Sequence, residues 1–187
     1  MYRVRKFNPR YDEYLDYLDN HIRGVIGCWE DILRPALEDA DDSEILSQID
    51  LDKIGLQVFN HDRSKYDEEE FIGYCNHWYP LDGSEVKHDA KRPEDDPEYD
   101  YAWSHHQHHN PHHSQYWLIV RDDGSIKALD IPMKYICELI CDWGSFHYND
   151  PKQETANEWW KKNKRKFIMS DQTVENINRL LKICPNI

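Results

Sequence analysis

The stretch Phe59-Asn60-His61-Asp62-Arg63-Ser64-Lys65 sets a histidine beside an aspartate, with a lysine four residues beyond the histidine. Imidazole nitrogen and carboxylate oxygen together suit a divalent transition metal, and an ammonium group can meet an anion. In a chain with 11 histidines such a dipeptide carries little weight by itself. Further candidate ligands supply it. In chain order they are His21, the pair His61 and Asp62, a histidine pair within the run His105, His106, His108, His109, His112 and His113, and Asp142. Glu138 lies one helical turn before Asp142 and could position a water or a ligand.

Helices must bring these residues together. The three-and-four spacing of Tyr14, Leu18, His21, Val25, Trp29 and Leu33 predicts a helix over 10–33 with His21 in its apolar stripe. Gly24 and Gly27 on that helix would let another helix come close. Pro35 and the acidic residues 38–42 predict a loop, and Ser43 a cap for a short helix to Leu46. From Asp50, Leu51, Ile54 and Val58 run on to His61, which places His61 and Asp62 on the last turn of a helix, facing inward. Asp67 opens a helix with Phe71, Tyr74 and Cys75 on its apolar side. Residues 81–97 lack pattern and read as a surface loop or a lid. Pro97 begins a helix to His109 that Asn110-Pro111 ends. Residues 116–120, the turn Arg121-Asp122-Asp123-Gly124 and residues 125–131 read as a small hairpin. Pro132 starts a helix with Glu138 and Asp142 on one face. Asp150-Pro151 opens another, through Trp159-Trp160 into the basic residues 161–166, and Ser170-Asp171 caps the last. The spacing therefore predicts an all-α fold with one β-hairpin, in a single domain over 1–187.

Composition narrows the classes. The length of 187 residues suffices for a core without disulfides, and seven Trp and twelve Tyr supply large surfaces to bury. A net charge of −13 argues against nonspecific nucleic-acid binding. The run Lys161-Lys162-Asn163-Lys164-Arg165-Lys166 is the local exception, read as a solvated helix face. The five cysteines show no CxxC pair and sit beside apolar residues, as buried thiols in a reducing cytoplasm do. No apolar leader and no membrane-length run occur, so neither export nor membrane insertion is expected. The aromatic residues are compatible with a homodimer.

The order H…HD…D, with Lys65 spaced as in an HDxxK motif and a following HH pair, resembles the HD-domain superfamily of metal-dependent phosphohydrolases. HDRSK, YAWSHHQHHNPHHSQYW and ELICDW together also resemble a bacterial and phage protein family of unknown function, over most of the chain. The resemblance implies an HD-domain-like helical bundle with the hairpin as an insertion. It implies His21, His61, Asp62 and Asp142 as core metal ligands, Lys65 orienting a phosphate, and His105 and His106 holding a second metal. One or two ions of Mn, Fe, Co, Ni or Zn would serve, with Mg also admissible. The HHNPHH run departs from the glycine and tyrosine-proline pattern of the cyclic-dinucleotide phosphodiesterase branch, so that substrate is not carried over. His77 and His88, the histidines between the HD and HH motifs, are expected at the surface.

The implied activity is hydrolysis of a phosphomonoester or phosphodiester, with a nucleotide as the small phosphorylated substrate and a metal-activated water as nucleophile. Lys65 would offset negative charge. A histidine of the 105–113 run, His109 foremost, would protonate the leaving oxygen. Two other readings stand beside it. Some relatives of the superfamily bind two irons and oxidise substrates with dioxygen, and a noncatalytic protein could use the same ligands for a structural metal or a partner.

Overall fold

The computed structural model describes residues 8–84 and 96–187. Most of the predicted loop or lid at 81–97, including His88, lies outside the described residues. In chain order the helices are α1 (Tyr11–Gly27), α2 (Arg34–Glu38), α3 (Ser43–Leu46), α4 (Leu51–Phe59), α5 (Glu68–Trp78) and α6 (Pro97–His109), then α7 (Met133–Asn149), α8 (Ala156–Asn163) and α9 (Asp171–Ile183). Between α6 and α7 lies one antiparallel hairpin, β1 (Leu118–Val120) with β2 (Ile126–Ala128), in the register Val120 to Ile126 and Leu118 to Ala128. The protein is mostly helical, as the spacing predicts. Among the described residues no helix is long and apolar enough to cross a membrane.

Backbone contacts divide the described residues into two units, 8–19 with 63–84 and 96–109, and Asn20–Asp62 with Asn110–Ile187. In the first unit α5 packs on α6. The close approach depends on Gly73, where a Cβ would lie 2.6 Å from the Glu98 carbonyl oxygen and 2.7 Å from the Ala102 Cβ. Backbone cannot swing aside as a side chain can. Gly73→Ala is therefore expected to destabilise this unit by about 1–3 kcal/mol despite alanine's better helix propensity, read as a lower urea midpoint. Gly27→Ala in the second unit is the milder comparison, because the three atoms nearest its Cβ would all belong to the far end of the Tyr148 side chain, which can rotate away.

The second unit is built around α7, which packs against α4, α8 and α9. Its core gathers Leu33, Ile54, Ile136, Ile140, Trp160, Ile177 and Leu180. The close approach expected at Gly24 and Gly27 is found, with Asn149 and Tyr148 at the end of α7 against them. The π-helical turn Cys28–Leu33 continues α1 into α2. The loop expected at Pro35 is instead the start of α2. There the Arg34 N–H reaches back to the Trp29 carbonyl, and a proline lacking a donor is tolerated in a first turn. Asp42, not Ser43, caps α3 by accepting the Ile45 N–H at 3.1 Å. Asp50 caps α4 in the same way through the Lys53 N–H. The helix expected from Asp150 begins later, at Ala156. Thr155 and Glu158 form a reciprocal capping box there that fixes the start. Ser170 caps α9 as expected. All five cysteines are buried thiols.

Candidate metal centre

α4 ends at Phe59, so His61 and Asp62 sit in the turn after the helix, not on its last turn. The His61 N–H still closes on the Val58 carbonyl at 3.0 Å. Asp62 then takes a left-handed backbone conformation, φ 54°, and is the one non-glycine residue with positive φ among those described. Aspartate tolerates this region better than most residues, yet it carries strain of the kind found at functional sites. The turn leaves both side chains buried, at 1% and 2% exposure.

Three elements converge there. α1 supplies His21, the turn after α4 supplies His61 and Asp62, and α7 supplies Asp142. His21 Nε2 lies 3.2 Å from Asp142 Oδ1 and 3.8 Å from Asp62 Oδ2. His61 Nε2 lies 3.4 Å from Asp62 Oδ2 and 3.7 Å from Asp142 Oδ1. Ligand bonds of about 2.0–2.2 Å place neighbouring ligand atoms about 3.0–3.5 Å apart, so this spacing is close to that of one metal's coordination sphere. His61 Nε2 is buried with no hydrogen-bond partner. A buried nitrogen left unbonded among carboxylates fits a cation ligand better than a structural hydrogen bond.

The other ring nitrogens are held from behind. Ser145 Oγ donates to the Asp142 carbonyl at 2.7 Å, so it accepts from His21 Nδ1 at 3.1 Å and turns His21 Nε2 toward the carboxylates. Glu138 Oε1 accepts from His61 Nδ1 at 2.9 Å. The same oxygen lies 3.2 Å from His112 Nδ1, and Gln57 donates to the other carboxylate oxygen. His112 Nε2 in turn lies 3.5 Å from Asp62 Oδ1. Tying Nδ1 to an acceptor fixes the tautomer that presents Nε2 to a metal.

Charge follows geometry. Burial works to lower the His61 pKa, but Asp62, the hydrogen bond to Glu138 and Asp142 outweigh it and raise it to about 9. Burial works to raise Glu138, but His112 and His61 hold it at about 2. Burial likewise opposes ionisation of Asp142, and His21, His61 and His112 overcome it and lower its pKa. The centre is a pocket of carboxylate charge that calls for positive charge.

Of the residues expected from sequence, the structure brings His21, His61, Asp62, Asp142 and Glu138 together in the second unit. His105, His106, Lys65 and His109 lie in the first. There Glu70, fully buried, binds His105 Nδ1 at 2.8 Å and His106 Nδ1 at 2.7 Å. Burial works to raise the Glu70 pKa, but His106, His105 and Ser64 lower it. Lys65 Nζ lies 5.1 Å from the centre of the Tyr74 ring. His109 is exposed, donates Nδ1–H to the His105 carbonyl at 2.8 Å and stacks on the His105 ring.

His77, expected at the surface, is buried instead, paired with Asp96 at 2.6 Å and stacked on Tyr99. Sequence reasoning did not single out His112 within the histidine run, and it passed over Ser145, Gln57 and Glu70. Ser145 had a visible signal, since 138, 142 and 145 share one helical face. His112 had none that separates it from its neighbouring histidines. Glu70 was hidden in an acidic first turn.

Fold and site together define a mostly helical protein with a buried histidine–carboxylate centre suited to a metal ion. The chain belongs to a family of unknown function (DUF5662), whose model matches residues 10–183. Comparison with curated proteins and with solved structures gives no significant match.

Proposed function

We propose that this chain is a metal-dependent phosphohydrolase acting on a small phosphorylated substrate, with nucleotides as the substrate class. The observation that carries the reading is the convergence of His21 Nε2, His61 Nε2, Asp62 and Asp142 at 3.2–3.8 Å. Those four residues follow the order H…HD…D of the HD-domain phosphohydrolases, which supports a single HD-like domain. A bound divalent cation would supply Lewis-acid polarisation of a phosphoryl oxygen and a water acidified from about 15.7 toward 7.

The chain's own residues do the positioning. Ser145 orients His21, and Glu138 orients His61 and His112. Asp62 and Asp142 bring the negative charge that attracts the cation. The resemblance to the HD-domain phosphohydrolases implies a phosphate-orienting role for Lys65, and His109 is the histidine proposed as proton donor; both belong to the first unit. His105 and His106 are assigned to a second ion, a role supported by Glu70 holding both through Nδ1.

The test is purification without chelator, metal identification, and a nucleotide panel assayed with Mn, Co, Fe, Ni and Mg. His61→Ala and Asp62→Asn serve as variants, Asn being chosen because it also tolerates the left-handed backbone at this position. Both variants are expected to lose bound metal and to lower phosphate release at least a hundredfold with the fold retained by circular dichroism. Histidine-rich sites also suit iron, so oxygen uptake is followed in the same panel. Oxygen uptake by the iron form without phosphate release under any metal would replace hydrolysis by oxidation. Unchanged metal content in both variants would remove the site assignment altogether.

A further inference from the structure

The basic run at 161–166 takes no part in the metal centre, and the fold gives it a shape that its sequence does not show. We propose that its lysines form, with Lys182, a binding site for a small polyphosphate anion. Lys161 at the end of α8, Lys164 just beyond it and Lys182 in the last turn of α9 line one cavity of about 370 Å³. Among the described residues no carboxylate lines it.

One polar group of the lining, Asn178, has its polarity fixed. Trp160 Nε1 donates to Asn178 Oδ1 at 2.9 Å, so Asn178 has its amide N–H groups to offer. Trp160 is itself 2% exposed, which anchors the arrangement in the core. Three lysines and Asn178 thus line one concavity. Such a set matches the oxygens of a phosphate chain, which only accept hydrogen bonds.

Helix dipoles explain part of this. A cation at a helix C-terminus is favoured by the helix dipole, which accounts for a lysine in the last turn of each helix. It does not account for three lysines from two neighbouring stretches lining one cavity with no carboxylate among its lining residues. Arg165 and Lys166 in the 3₁₀ turn Lys164–Lys166 add to the field and are exposed. Lys162 is excluded, because it is paired with Glu154.

The size of the ligand follows from the charge of the whole chain. At physiological salt the screening length is about 8 Å, so remote carboxylates weigh little on an anion seated within the cavity. A long polyanion would instead extend over a protein of net charge −13. An inorganic polyphosphate or the phosphate chain of a nucleoside triphosphate fits, and a nucleic acid strand does not.

The experiment is calorimetric titration of the full chain in EDTA with inorganic tripolyphosphate, a nucleoside triphosphate and a short single-stranded oligonucleotide. It is repeated with His61→Ala, with the double variant Lys161→Gln/Lys182→Gln, and with Lys152→Gln as a control at an exposed lysine away from the cavity. Tripolyphosphate is expected to bind, to weaken with added salt, and to lose at least tenfold in affinity in the double variant. His61→Ala and Lys152→Gln should bind as the parent does, which separates this site from the metal centre. Equal affinity for tripolyphosphate and nucleoside triphosphate assigns the contacts to phosphates alone, and tighter nucleoside triphosphate binding extends them to the nucleoside. Absence of tripolyphosphate binding, undiminished binding in the double variant, an equal loss in Lys152→Gln, or tighter binding of the oligonucleotide would each overturn the proposal.

Discussion

Glu138→Ala is expected to weaken metal binding by about 10–100-fold, although Glu138 is not one of the four converging ligands. Its Oε1 accepts from His61 Nδ1 and lies within 3.2 Å of His112 Nδ1, while Gln57 holds Oε2. Removing the carboxylate takes from His61 Nδ1 its buried acceptor, at about 1–3 kcal/mol, and from His112 Nδ1 a carboxylate at 3.2 Å. His61 can then turn or take the other tautomer, and its Nε2 is no longer fixed toward Asp62 and Asp142. Glu138→Gln tests the same point more gently. A glutamine keeps the volume and can accept with one oxygen, but its amide nitrogen would face the Gln57 donor. Its affinity should therefore fall between those of the parent and the alanine variant. Competition with a fluorescent chelator reads the affinity, and denaturant unfolding of the metal-free forms reads the stability. Parent-like affinity in both variants would show that the imidazoles are oriented by backbone alone.

The legible part of this protein is the part governed by periodicity. The stripe from Tyr14 to Trp29 placed His21 inside, and the four-residue step from Glu138 to Asp142 placed both on the buried face of α7. What periodicity could not reach is the backbone where it leaves the helix. His61 continues the spacing of Ile54 and Val58, yet α4 stops at Phe59, and Asp62 is aimed by a left-handed residue. No spacing rule anticipates that conformation, since it is enforced by the surroundings and not by local preference. The histidine run fails for another reason. Within 105–113 all the rings are chemically alike, and only the turn after α6 brings His112 next to Glu138. Capping was legible at Ser170, but the prolines at 35 and 151 suggested boundaries that a π-helical turn and the Thr155–Glu158 capping box override.

Raising the pH from 6.5 to 9 is expected to lower the stability of the metal-free protein while enlarging the stabilisation that metal confers. His61 has its pKa raised from 6.5 to about 9, chiefly against burial by Asp62. The stabilisation linked to its proton is complete below 6.5 and is lost as pH rises through 9. Its full size is on the order of 3 kcal/mol. Glu138 has the opposite linkage, with its pKa depressed from 4.5 to about 2. Its contribution is present above 4.5 and is lost as pH falls toward 2. The metal-free protein should accordingly be most stable between about 4.5 and 6.5.

A metal requires the neutral imidazole, so binding must displace the His61 proton. Affinity should then rise by about tenfold per pH unit and level off near 9, because the carboxylates are already ionised and release nothing. Melting temperatures with EDTA and with Mn or Zn, taken from pH 5.5 to 9, should diverge as the metal-free curve falls. The His61→Ala protein should show neither the fall nor the divergence. A metal-induced shift that stays constant across this range would mean that His61 is neutral before the ion arrives, and that its unbonded Nε2 is not held for a cation by Asp62 and Asp142.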